Sequence, residues 1–239
     1  MKLDILAINV HPDDAELSCS GTLVKAIKEG KQVGMLDLTR GELGTRGTAE
    51  IRDQEAAAAA KIMGLHYRNN LKFRDGFFVN DEAHKLAIIQ EIRTLQPTIV
   101  LTNAVEDRHP DHGRAAQLVA EACFLSGLPK IETMDANGKT QAAWRPKQVY
   151  HYIQDRYLHP TFVIDITEEM DTKLAAIKAY GSQFYDPNSS EPATYISTSY
   201  FIEGVIGRAS SYGKFINTRY AEGFISVNPP GVASLFDLV

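Results

Sequence analysis

Cysteine is scarce in this chain of 239 residues, limited to Cys19 and Cys123, which lie far apart. Two thiols so placed exclude the disulfide framework of a small secreted domain and fit a reducing compartment. No apolar run approaches the ~20 residues of a membrane span, and the opening Met1-Lys2-Leu3-Asp4 carries no signal-type apolar segment, so a cytoplasmic protein without a membrane partner is expected. Surplus positive charge is also absent. The formal net charge of -5 argues against nucleic acid as a partner, although a local arginine cluster could still hold a small anion. There is no internal repeat and no low-complexity tract. What is present is an ordinary globular composition, 44% hydrophobic and 23% charged, long enough to bury a full core as a single domain over 1–239.

Apolar runs of strand length alternate with longer amphipathic segments, the pattern of an α/β protein with a mostly parallel sheet covered by helices on both faces. Strands are expected at Leu3 to Val10, Gln32 to Thr39, Asn70 to Phe73, Thr98 to Asn103, Val149 to Gln154 and Thr161 to Ile166. Helices are expected near Thr22 to Glu29, Ala49 to Met63, Glu82 to Leu95, Gly113 to Leu125, Glu168 to Tyr180 and Tyr200 to Ile216. The segment Asp186 to Thr198, rich in Pro, Ser and Asn, reads as a long functional or interface loop rather than a linker.

Two histidine and carboxylate clusters follow strands: His11-Pro12-Asp13-Asp14 after the first, and His109-Pro110-Asp111-His112 after the strand ending at Asn103. In an open parallel sheet the carboxyl ends of the strands carry the ligand crevice, so both clusters are expected at one edge. Zinc in catalytic sites takes about three protein ligands, typically histidine and carboxylate, and keeps one position open. His11, Asp14 and His112 meet that requirement, and the proline after each leading histidine stiffens its loop. Taken alone, each cluster has a plainer reading: an aspartate pair before a helix commonly caps it, and a loop histidine is usually just solvated. Capping does not require two such sets.

The stretch HPDDAEL, the later DRHPDH, and Arg52-Asp53-Gln54-Glu55 opening an alanine-rich helix that ends Met63-Gly64-Leu65 together resemble the PIG-L/LmbE-like family of zinc-dependent N-acetylglucosamine deacetylases, over most of the chain. Within it, DLTRGELGTRGT, AYGSQFYDPNSSEPAT and the ending EGF with LFDL look most like the bacillithiol-biosynthesis branch acting on N-acetylglucosaminyl-malate. Ser18-Cys19-Ser20-Gly21 stands where the family usually has glycines, and Asn9 replaces a smaller residue.

The resemblance implies a Rossmann-like three-layer sandwich of the LmbE type, one Zn2+ per chain, a small-molecule N-acetylglucosaminide substrate and a homo-oligomer, trimer or hexamer. It implies Asp13 as general base. His109 is then suited to stabilise the oxyanion as imidazolium, with Asp111 holding and charging it, against a plain helix-start cap for Asp111. Arg52 matches a substrate-contacting arginine, against a surface pair with Glu55. Asp75 matches an aspartate that hydrogen-bonds sugar hydroxyls, against a turn residue before Gly76. Arg46 and Arg108 are candidates to face an anionic end of the substrate. Two rival functions stay open: a deacetylase of another acetamide, such as a chitin disaccharide or a glucosaminyl-inositol, and a non-catalytic ligand-binding domain of the same fold.

Overall fold

The computed structural model describes residues 1–184 and 186–238. Its strands are β1 (Ile5–Asn9), β2 (Val33–Thr39), β3 (Tyr67–Phe73), β4 (Ile99–Thr102), β5 (Gln148–Tyr152), β6 (Phe162–Asp165) and β7 (Ala221–Ser226). Its α-helices are α1 (Asp14–Ser18), α2 (Ser20–Lys28), α3 (Ala49–Met63), α4 (Glu82–Leu95), α5 (Pro110–Leu125), α6 (Met170–Lys178) and α7 (Phe201–Gly213). One sheet runs in the order β3-β2-β1-β4-β5-β7-β6. Its first five members are parallel, and β7 lies antiparallel between β5 and β6.

Alternation along the strands sends side chains to both faces, and both are buried. Leu6 and Ile8 of β1 with Leu36 and Leu38 of β2 pack under α4 and α5, against Ile88, Ile92, Leu118 and Val119. Ala7 and Met35 face the opposite layer, where α2, α3 and α6 contribute Leu23, Ala59 and Ile177. Each such aliphatic side chain contributes roughly 1.5–3 kcal/mol on burial, so the strand core is rigid where the site begins. The chain winds from β1 outward through β2 to β3, then returns to β4 on β1's other side. That reversal leaves a crevice at the carboxyl ends of β1 and β4, where both histidine clusters emerge.

The expected elements are present, with differences at α1, α5, β3 and β7; α1 is a short helix ahead of the one expected near Thr22. Helix α5 begins at Pro110 rather than near Gly113, because proline suits the first helical position and His109 supplies the cap. Strand β3 starts earlier, at Tyr67, despite its polar residues. Strand β7 was not expected: Glu222 and Gly223 interrupt its apolar pattern. Gly223 is needed there, since a Cβ would meet the Tyr212 ring at 2.9 Å.

The buried pair Lys173 and Glu222 ties this late strand to the first helices. Lys173 Nζ donates to the carbonyls of Glu16 and Leu17 at the end of α1 and to Glu222 Oε1 at 2.7 Å. Glu222 in turn accepts from the Gly21 and Thr22 amides at the start of α2. Cation at a helix C-terminus and anion at a helix N-terminus both oppose the helix dipole correctly. Removing one partner strands the other charge in the interior. Lys173→Ala is therefore expected to lose about 3–5 kcal/mol in urea unfolding, whereas Asp53→Ala, which breaks the exposed pair with Arg40, should cost no more than about 1 kcal/mol. Equal, small losses would show that the pair does not hold α1.

Candidate active site

Leaving β1, the chain turns sharply at Asp13, whose φ of 112° lies in the left-handed region. A non-glycine residue held there costs about 1–3 kcal/mol, a strain that clusters at functional sites. Its carboxylate makes no cap bond to α1. Instead it accepts from Arg52 Nη1 at 3.1 Å, and the same Nη1 donates to the Pro12 carbonyl at 2.9 Å. The helix-cap reading of Asp13 thus fails. Arg52 does not sit in a surface pair with Glu55, whose carboxylate receives Ser182 instead; it is buried against Asp13. The glycine-rich loop after β2 makes this possible: a Cβ at Gly41, at φ +64°, would press on the Arg52 guanidinium at 3.1 Å.

Asp14 lies between the two imidazoles of the expected metal set. Its Oδ1 is 3.1 Å from His112 Nε2, and its Oδ2 is 3.6 Å from His11 Nδ1. Both rings are fixed from behind by carboxylates: His11 Nε2 lies 3.0 Å from Asp75 Oδ1, and His112 Nδ1 lies 2.6 Å from Asp107 Oδ2. Those partners would keep a proton on the far nitrogen once a metal replaced the one on the near nitrogen, the arrangement that orients metal-ligating histidines. Asp14 itself is bracketed by neutral donors. The His11 amide and Asn103 Nδ2 donate to its Oδ2, and Gln154 Nε2 donates to its Oδ1.

Electrostatics favour a cation here. Burial lowers the pKa of His11, but Asp111, Asp14 and Asp75 outweigh it and hold the ring well above its ordinary range. His112 is pushed up to about 9 by Asp14 and Asp107 against the same burial. Protons thus stand in for positive charge that a divalent ion would supply on binding. His11, Asp14 and His112 fit such an ion in donor type and orientation. Among the described residues two groupings have ligand atoms that all lie within 4.8 Å of one another, His11 with His109 and His112, and His11 with Asp75 and Asp111, and neither includes Asp14. In the first, His109 Nδ1 is already engaged as the α5 cap, accepting from the Asp111 amide at 3.3 Å. In the second, the carboxylates face His11 Nε2, the nitrogen behind the ligand set.

The remaining expectations divide. His109 reaches the site, its ring centroid 4.8 Å from that of His11. Burial, with His11 and His112 nearby, lowers its pKa, which works against the expected imidazolium. Asp111 does not hold His109. Its carboxylate turns to Arg114 at 2.8 Å and to the Gly76 amide at 2.9 Å. Asp75 is more than a turn residue, since it bridges His11 and the Leu43 amide. Arg46 is not at the site: it is buried against the Phe184 carbonyl and Ser189 Oγ, tying down the long loop. Arg108 is at the mouth, with its Nε on Asp155 at 3.1 Å and its guanidinium over the Tyr195 ring.

These groups line a cavity of about 460 Å³, which the 186–198 loop also walls through Thr194, Tyr195 and Ile196. Burial pushes the Asp13 carboxyl up to about 7 against the pull of Arg52. Sequence reasoning missed Asp107, Asn103, Gln154 and Arg208. Asp107 had a signal, lying five residues before His112 in the same motif. Asp107→Asn is expected to weaken divalent-metal affinity by about 10–100-fold, read by competition with a chelator, and an unchanged affinity would show that the bond to His112 does not tune the site.

Comparison with known proteins agrees with this geometry. The PIG-L family model, described as GlcNAc-PI de-N-acetylase, matches residues 6–123, which span both histidine clusters. Diacetylchitobiose deacetylase of Thermococcus kodakarensis is 30% identical, over 95% of this chain and 84% of that protein. The crystal structure of a conserved protein, TT1542, from Thermus thermophilus superposes with a TM-score of 0.85 at 35% identity, covering 97% of each chain. A Bacillus anthracis protein named "Probable N-acetyl-alpha-D-glucosaminyl L-malate deacetylase 2" is 26% identical, over 75% of this chain and 81% of that one. With the family model matched over both clusters and a 30% identical relative covered over 84% of its length, the chain belongs to the PIG-L family of de-N-acetylases.

Proposed function

We propose that this protein hydrolyses the N-acetyl group of an N-acetylglucosaminide with zinc held by His11, Asp14 and His112. The observation that carries the reading is Asp13, strained, buried and held by Arg52 beside those three ligands at the floor of the cavity. A bound zinc ion supplies a Lewis acid that acidifies water and polarises the acetamide carbonyl. Asp13, as carboxylate, takes the proton of the water that attacks the acetyl carbon. When the C–N bond breaks, the same carboxyl returns a proton to the departing nitrogen, giving acetate and a free amine. The pair with Arg52 aims the carboxylate and favours its charged form. His109, neutral and capped on Nδ1, offers Nε2–H to the carbonyl oxygen as negative charge develops there. Asp75 and Asp107 keep the two ligand rings oriented.

For the aglycone, the reading we favour is the malate conjugate, supported by the loop sequences of the bacillithiol branch and by a cavity mouth that carries arginine. The Thermococcus relative supports a second reading, a chitin disaccharide. A free-amine assay over both substrates separates them: faster release from N-acetylglucosaminyl-malate supports the first, and a preference for the neutral disaccharide supports the second.

A further inference from the structure

Arg208, on α7, lines the cavity but has no part in the chemistry above. The other arginines near the site are occupied, Arg52 by Asp13, Arg108 by Asp155, and Arg46 by the 184–189 backbone and Ser189. Among the described residues Arg208 forms neither an ion pair nor a hydrogen bond. It is half-buried; burial lowers its pKa, while Tyr212, Asp155, Asp107 and Glu222 act on it only as neighbouring charges. A guanidinium taken from water without a partner is a standing cost that an incoming anion removes.

A second observation falls on the same wall. Ser18, only 5% exposed, lines the cavity with Arg208, and its Oγ has no hydrogen-bond partner. The two residues recur together in a small recess that continues inward beside Lys173 and Glu222. A buried hydroxyl without a hydrogen-bond partner and a half-buried guanidinium without a protein partner, side by side on one cavity wall, describe a binding site rather than a packing contact.

Resting on the reading above as a glucosaminide deacetylase, we infer that Arg208 and Ser18 form a subsite for a carboxylate on the aglycone of the substrate. A carboxylate fits better than a phosphate. One guanidinium receives one carboxylate through two parallel hydrogen bonds, whereas a phosphate dianion would concentrate both charges at one point near Asp107, Asp155 and Glu222.

The test is binding without turnover: calorimetry of the zinc-loaded full chain with glucosaminyl-malate, the deacetylated conjugate, and with methyl glucosaminide as the neutral control. Arg208→Gln is expected to weaken the malate conjugate about tenfold or more, the worth of a charge-assisted hydrogen bond, and methyl glucosaminide by less than about twofold. Arg208→Lys, which keeps the charge and loses the fork, should fall between, and Ser18→Ala should show a smaller selective loss. Equal losses on both ligands, or none, overturn the subsite. Should Arg208→Gln not fold, the wild type carries the test through its preference for the malate conjugate over the dimethyl ester, expected at about tenfold or more; equal affinities overturn it. A protein that binds the conjugate through Arg208 yet releases no amine from any N-acetylglucosaminide would refute the enzymatic reading alone. One that deacetylates without regard to Arg208 would refute the subsite alone.

Discussion

Asp13→Asn is expected to keep the zinc content of the wild type and to lose about 10²–10⁴-fold in kcat, the range for removing a positioned general base. Asparagine is the informative replacement. It tolerates the left-handed backbone that Asp13 adopts, and its amide oxygen can still accept from Arg52, so the turn and the helix behind it are retained. It cannot accept the proton of the attacking water. Metal analysis and a free-amine assay on the same sample decide the matter. Near-normal turnover would remove Asp13 from the chemistry, and loss of metal would make it part of the binding set instead.

His112→Ala should act in the opposite order, losing the metal first and the activity with it. The change removes one of the three proposed ligands and leaves Asp107 without its His112 partner. Ligand binding stabilises the native state by RT ln(1 + [L]/Kd), about 4 kcal/mol at a thousandfold excess over Kd. The wild type should therefore melt higher with zinc than with chelator, while the His112 variant melts alike in both. Stoichiometric zinc after dialysis of the variant would contradict the ligand assignment.

The contrast between the two variants rests on residues whose place at the carboxyl ends of the strands was legible in the sequence. His11, Asp14 and His112 are legible because each follows a recognisable buried strand, and strand ends fix position in a parallel sheet. The parallel core was legible for the same reason. Asp111 was misjudged because neighbours in sequence are not neighbours in space at a helix start: the first turn of α5 carries its carboxylate round to Arg114 and Gly76, away from His109. Arg52 reads from the sequence as a substrate contact, with a surface pair to Glu55 as the alternative, and only the packing of the glycine loop shows it buried against Asp13. Strand β7 and the Lys173–Glu222 pair were invisible. A buried glutamate reads as a surface residue until its lysine arrives from another element, and here that element lies 49 residues away.

Zinc dependence of amine release is the most direct measurement. The full-length protein, loaded with zinc, stripped with chelator and then reloaded, is assayed at each stage on N-acetylglucosaminyl-malate and on diacetylchitobiose. Release of free amine that tracks bound zinc, vanishes on stripping and returns on reloading is the result expected. Undiminished release from the stripped protein, or no release from either substrate by the fully loaded one, would contradict a zinc-dependent glucosaminide deacetylase built on His11, Asp14 and His112.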